Sequence, residues 1–286
     1  MDPNLKTVRS ITEEHVENRR RTGAKEGPLS ESLRLGSKEI ISLVGAGGKT
    51  TLMFRLAREL AAGGKRVVTT TTTRILEPSP AESSRLFVSP ERGEIGRFLN
   101  EHLCSDRHIT VALERLGSGK LKGIPPDFVD ELSRVEGIDF IIVEADGAAG
   151  HPVKAPREGE PVIPRSTTLT VALTGVDGLG MELKEENIFR SERVSHLTSL
   201  PRGSRMTERA MAVLVTHGEG ILKGTPEASR IIVFLNKVDI VDGVEKGERI
   251  ARSILDQGHA GIERILLGQL KEEPPVVRIF PGQESF

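Results

Sequence analysis

The chain has 286 residues, 40 basic against 41 acidic, with no Trp or Tyr, 9 Phe and one cysteine, Cys104. Near-neutral charge and scarce aromatic rings argue against an electrostatic or stacking grip on nucleic acid or on a membrane surface. A lone cysteine excludes an internal disulfide or a Cys-rich metal site and suits a reducing compartment.

The first 21 residues lack the apolar core of a signal peptide, and no later apolar run approaches the roughly 20 residues that span a bilayer. Seven scattered histidines offer no pair at metal-ligand spacing. The expectation is a soluble, cytoplasmic protein. Residues 1–28 lack apolar periodicity and carry Arg19-Arg20-Arg21, as a flexible N-terminal tail does.

Ile40-Ile41-Ser42-Leu43-Val44 is a nearly continuous apolar run, expected for a strand covered on both faces of a parallel sheet. A glycine loop follows. Leu52, Met53, Leu56, Ala57 and Leu60 then recur at helical spacing until Gly63-Gly64 stops the helix, and Arg66 to Thr71 reads as a second strand. This is a βαβ unit. Further strands are expected at Asp139–Glu144, Thr168–Thr174, Arg230–Leu235 and Val276–Phe280. Helices are expected at Glu94–Leu103, Thr207–Thr216 and Val244–Gln257, with Thr207 as an N-cap. The alternation predicts an α/β domain over 29–286, a doubly wound, mostly parallel sheet with a P-loop NTPase fold.

The loop reads Gly45-Ala46-Gly47-Gly48-Lys49-Thr50-Thr51. Glycines let backbone N–H groups wrap closely round phosphate oxygens, and the following helix adds its positive end. Lys49 is positioned to reach the β- and γ-phosphates, and the Thr50 hydroxyl to ligate Mg2+. In the usual spacing the first glycine falls at position 43, which is Leu43 here.

Asp139-Phe-Ile-Ile-Val-Glu144-Ala-Asp146-Gly147 is an apolar strand ending in carboxylates, where such proteins need an acid for the magnesium shell. Glu144 and Asp146 point to the same side of an extended strand, so either suits. Arg230 to Leu235 leads into Asn236-Lys237-Val238-Asp239. An ionised Asp239 accepts from both guanine donors, N1–H and N2–H2, a pair adenine lacks. Asn236 is expected to tie the loop and reach the purine edge, and the Lys237 stem to cover the ring. GTP with Mg2+ is the expected ligand, ahead of ATP.

Two features remain open at this level. Thr69 to Thr73 are five consecutive threonines at a strand end, suited to a strand by β-branching or to a ligand by their hydroxyls. The stretch 147–164, with His151-Pro-Val-Lys154-Ala-Pro156 and Glu160-Pro-Val-Ile-Pro164, is too long for an ordinary connection. It reads as a Pro-stiffened crossover, or as a lid whose Lys154 faces phosphate.

Taken together, Ile41 to Met53, Thr69 to Thr73, Glu144-Ala-Asp-Gly147, Lys154-Ala-Pro156, Glu160-Pro-Val-Ile-Pro164 and Asn236-Lys-Val-Asp239 resemble the YqeC family. The resemblance implies an accessory role in maturing a selenium-dependent molybdenum hydroxylase, with that client enzyme or its cofactor-assembly proteins as partners. Where relatives tend to carry His-Arg before Glu, this chain has Phe189-Arg190-Ser191-Glu192, so no histidine role is carried over.

The expected activity is slow GTP hydrolysis, with Lys49, Glu144 and Asp146 as the catalytic set. No arginine finger is evident, which makes a partner or a second copy of the chain the expected source of one. A kinase or nucleotidyl transferase acting on a small cofactor, and a nucleotide-gated binding module that hardly hydrolyses, are the alternatives.

Overall fold

Strand β1 (Glu39–Gly45) is buried at every position, as its unbroken apolar sequence requires of a central strand with both faces covered. The computed structural model describes residues 27–282, so the expected tail falls outside the described residues but for its last two, and its arginine run falls outside entirely. The other strands are β2 (Val67–Thr71), β3 (Arg74–Leu76), β4 (Leu86–Val88), β5 (His108–Ala112), β6 (Glu114–Arg115), β7 (Lys120–Lys122), β8 (Phe140–Glu144), β9 (Leu169–Gly175), β10 (Arg230–Asn236), β11 (Ile262–Gly268) and β12 (Val276–Pro281). The helices are α1 (Leu29–Ser32), α2 (Lys49–Ala62), α3 (Arg92–Asp106), α4 (Pro126–Leu132), α5 (Ser191–Thr198), α6 (Glu208–Thr216) and α7 (Gly243–Asp256).

Nine strands form the main sheet in the order β12-β11-β10-β9-β1-β8-β2-β5-β4, and β3, β7 and β6 form a small antiparallel sheet. The main sheet is parallel except for β12, which runs against β11. Alternate residues of β1 divide between the faces: Ile41 and Leu43 pack with α2 residues Leu52, Met53 and Leu56, while Ile40 packs with Ile95 and Leu99 of α3 and Phe128 of α4. On the latter face, under β9 and β10, Ala172, Val233 and Leu235 meet Met211 and Val215 of α6 and Ile250 and Ile254 of α7. Helices thus cover both faces, and the fold is the expected doubly wound, mostly parallel α/β arrangement.

This topology gathers the functional candidates at one edge. Glu144 of β8 lies in register with Leu43 of β1, and Leu173 of β9 with Gly45. Asn236 of β10 lies in register with Gly175 of β9 and Gly268 of β11. In open parallel sheets the crevice beyond the carboxyl ends of the strands is where ligands bind. Among the described residues no helix is long and apolar enough to cross a membrane.

Candidate functional site

The glycine loop links β1 to α2 in only three residues, Ala46 to Gly48, since β1 continues through Gly45. Gly48 has a φ of +131° and caps α2 with no side chain. A Cβ there would lie 2.4 Å from Asn236 Nδ2, so only glycine fits. The first turn of a helix has N–H groups without intrahelical acceptors, so α2 presents uncapped amides and its positive end beside Lys49 and Thr50. By contrast α6 is capped, as expected, by the Thr207 hydroxyl accepting from the Ala210 N–H.

The expected cradle of amides from Gly45 to Thr51 is shorter than the sequence pattern implies. Gly45 N–H donates to Asp146 Oδ2 at 3.1 Å, Ala46 N–H to the Leu173 carbonyl at 2.9 Å, and Gly47 N–H to the His151 carbonyl at 3.1 Å. These three amides are engaged by the protein, so an anion at this loop would have to be met from Gly48 onward.

Lys49 and Thr50 meet the acidic end of the neighbouring strand. Lys49 Nζ donates to the Gly45 carbonyl at 2.6 Å and lies 3.1 Å from Asp146 Oδ1 and 3.9 Å from Glu144 Oε1. Thr50 Oγ1 donates to Glu144 Oε2 at 2.6 Å. Asp146 is fully buried, and its Oδ1 has an ion pair with Lys49 but no hydrogen-bond donor. Burial pushes the Glu144 carboxyl above the usual glutamate range, against the pull of Lys49 and Thr50.

Among the described residues no group of three or more His, Cys, Asp or Glu side chains is placed to hold a metal by itself. Magnesium needs less: it keeps several waters and binds through one or two carboxylates plus substrate phosphates. The Thr50 hydroxyl, the Glu144 carboxylate and the Asp146 oxygen paired with Lys49 are hard oxygen donors of that kind, so the donor set fits an ion that arrives with phosphate.

The segment 147–164 is a strap laid over this corner. Its Pro152 carbonyl accepts from Gly175 N–H, and its Val162 N–H donates to the Ala145 carbonyl. Lys154, 1% exposed, places Nζ 2.7 Å from both Asp146 Oδ2 and the Gly147 carbonyl. Burial lowers the Lys154 pKa, Asp146 opposing and Lys49 adding to the shift. Glu160 takes two bonds from Arg190, at 2.6 and 3.1 Å, and an ion pair from Arg157 at 2.9 Å. Burial works against the Glu160 charge, but Arg190, Lys154 and Arg157 outweigh it and hold the carboxyl below its usual range. Arg190 also lies over the Phe189 ring.

All five threonines of the run make hydrogen bonds within the fold, Thr73 through its hydroxyl to that of Thr71. Thr69 Oγ1 bonds to buried His108 and to Thr110, Thr70 Oγ1 donates to the Val111 carbonyl, and Thr72 Oγ1 to the Val162 carbonyl of the strap. Thr71 Oγ1 donates to the backbone carbonyl of Glu144.

Asn236 bridges two loops. Its Nδ2 donates to the Gly47 carbonyl at 2.7 Å, and its Oδ1 accepts from Leu270 N–H at 3.1 Å. Asn236 thus ties the glycine loop to the 270 segment, with one N–H of its amide left over. Lys237, with φ of +68°, puts Nζ 2.6 Å from Asp177 Oδ2, and Asp239 is exposed at the surface. A groove beside the start of α2 is lined by Thr51, Arg55, Arg58, Leu270 and Lys271, and so reaches the segment that Asn236 holds.

Sequence reasoning missed Asp177, Arg190 and Leu270. The signal for Arg190 was its place in the familial pattern before Glu192; nothing local marks the other two.

The family model described as YqeC protein matches residues 41–192, from β1 through the strap to the start of α5. YqeC of Escherichia coli (strain K12) is 32% identical over 256 residues, which are 88% of this chain and 97% of that protein. Two crystal structures of FtsY from Mycoplasma mycoides align with this chain. One covers 89% of it and 67% of the FtsY chain, at a TM-score of 0.38 and 14% identity. The other covers 88% and 67%, at a TM-score of 0.35 and 10% identity. From the family model and the extent of identity with the Escherichia coli protein, the chain belongs to the YqeC family.

Proposed function

We propose that this protein binds a nucleoside triphosphate together with magnesium, prefers GTP, hydrolyses it slowly, and serves as an accessory factor in maturing a selenium-dependent molybdenum hydroxylase. One observation carries the nucleotide reading: the uncapped first turn of α2 brings Lys49 and Thr50 against two carboxylates from the adjacent strand, with Thr50 Oγ1 2.6 Å from Glu144. Lys49 supplies positive charge to the terminal phosphates once it turns from Gly45 and Asp146. Thr50 and Glu144 are the residues to hold magnesium, with Asp146 orienting its water shell; bound there, the ion neutralises phosphate charge.

Guanine preference rests on Asp239, exposed three residues beyond the Asn236 bridge, with its carboxylate available to two base donors. The link to hydroxylase maturation rests on membership of the family. Arg190 is held by Glu160 and the Ala155 carbonyl, which supports slow turnover until a partner contributes a further cation.

Calorimetry of the purified chain against GTP and ATP, each with and without magnesium, tests this. GTP binding that weakens on removing magnesium, and exceeds ATP binding by tenfold or more, is the expected result. Absence of heat with either nucleotide overturns the reading, and equal affinity for both removes the guanine assignment alone.

A further inference from the structure

Asp146 is an anion already seated where a phosphate binder directs its cations. Its carboxylate receives the Gly45 N–H, faces Lys49 Nζ at 3.1 Å and pairs with Lys154 Nζ at 2.7 Å. The two ammonium groups therefore lie on either side of one buried carboxylate. Glu160 has two arginine partners besides Lys154. Arg190 and Arg157 hold it at 2.6 to 3.1 Å, and the Lys154 contact is the longest, at 3.5 Å. The nearest ionic partner of Lys154 is thus a carboxylate it shares with Lys49.

The backbone around Lys154 is fastened to the loop that meets the nucleotide. His151 and Pro152 carbonyls accept from Gly47 and Gly175, and Val153 accepts from Phe189 N–H. A phosphate drawing on Lys154 would therefore pull on a strap already tied to the phosphate loop.

We propose that Lys154 reads the terminal phosphate, sharing it with Lys49, so that the chain holds a nucleoside triphosphate in preference to the diphosphate and the strap changes position between the two. This rests on the nucleotide reading above and adds which phosphate is sensed and by which residue. A charge-assisted hydrogen bond made to one ligand and not to the other separates their affinities by about ten- to a hundredfold.

The test uses the full chain with magnesium, a non-hydrolysable GTP analogue and GDP, in wild type, Lys154→Met and Lys154→Arg. Calorimetry should show wild type preferring the analogue, Lys154→Met losing about ten- to a hundredfold of that ratio, and Lys154→Arg keeping most of it. Equal weakening toward both ligands in Lys154→Met would mean a purely structural lysine and overturns the inference. Wild type that binds neither ligand instead sinks the nucleotide reading on which it rests. Should Lys154→Met fail to fold, trypsin cleavage after the exposed Arg157 of wild type decides. A rate that differs between analogue and GDP supports the strap movement, and identical rates refute it.

Discussion

Asn236→Ala removes both ends of a buried bridge, and its cost can be worked from the contacts. The side chain gives a 2.7 Å bond to the Gly47 carbonyl and takes a 3.1 Å bond from Leu270 N–H, and the residue is 5% exposed. Each bond contributes about 0.5–1.5 kcal/mol net, and a buried backbone group left without a partner costs about 1–3 kcal/mol. The vacated volume adjoins the loop, so water entering it offsets part of that loss. The net expectation is a loss of about 2–4 kcal/mol, read as a lower midpoint in urea unfolding at unchanged slope. Asn236→Asp keeps the acceptor for Leu270 but aims a carboxylate at the Gly47 carbonyl, and should rescue little. Because the bridge sets the phosphate loop against the 270–271 segment, triphosphate affinity should fall in both variants even at temperatures where they are fully folded. A stability change for Asn236→Ala below about 0.5 kcal/mol, typical of surface positions, would refute the claim that this amide holds the two loops together.

Further outcomes follow from other contacts. His108 is 4% exposed on Thr69, and burial with repulsion from Arg58 lowers its pKa from 6.5 to about 4. The folded state therefore favours the neutral ring: this contribution is complete above pH 6.5 and is lost as pH falls from 6.5 to about 4. At about 1.4 kcal/mol per pH unit it amounts to about 3 kcal/mol, and urea midpoints across that range should fall more steeply in wild type than in His108→Gln. Lys49→Met should abolish triphosphate binding in calorimetry. It should also destabilise by about 3–5 kcal/mol in urea, since Glu144 and Asp146 lose a buried cation. Asp239→Asn should weaken GTP binding by tenfold or more and gain xanthosine triphosphate, whose extra oxygen reverses the donor pattern; unchanged nucleotide preference removes Asp239 from base selection.

Much of the frame could be read from residue patterns because its signals are local. The strands at 139–144, 168–174 and 230–235 appear within a residue or two of expectation, as do the helices expected at 207–216 and 244–257. Their apolar runs and caps act over a turn or a few residues. β5 was not anticipated, since His108 and Thr110 interrupt its apolar pattern; the fold buries them by bonding both to Thr69. β11 escaped for a similar reason, with Glu263 and Arg264 breaking an otherwise apolar run. The segment 276–280 was expected as a strand, but its antiparallel direction is set by the short return from β11.

The site divides along the same line. That Lys49, Thr50, Glu144 and Asp146 converge followed from a helix start and a strand end on adjacent strands. Which amides remain for a ligand did not, because their acceptors lie far along the chain, at 146, 151 and 173. One departure in the motif nonetheless pointed there. With Leu43 in place of the first glycine, the backbone stays in the ladder for two further residues, and Gly45 pairs with Leu173 as part of β1. The missing glycine accounts for part of the short cradle: Ala46 N–H continues the ladder to Leu173, whereas the Gly45 and Gly47 amides are taken by the Asp146 side chain and the His151 carbonyl. If a loop shortened in this way takes phosphate, as proposed above, it offers fewer main-chain donors and leans more on cations from other segments. In this fold the segment lying over the loop is the strap, and the buried cation it brings to Asp146 is Lys154.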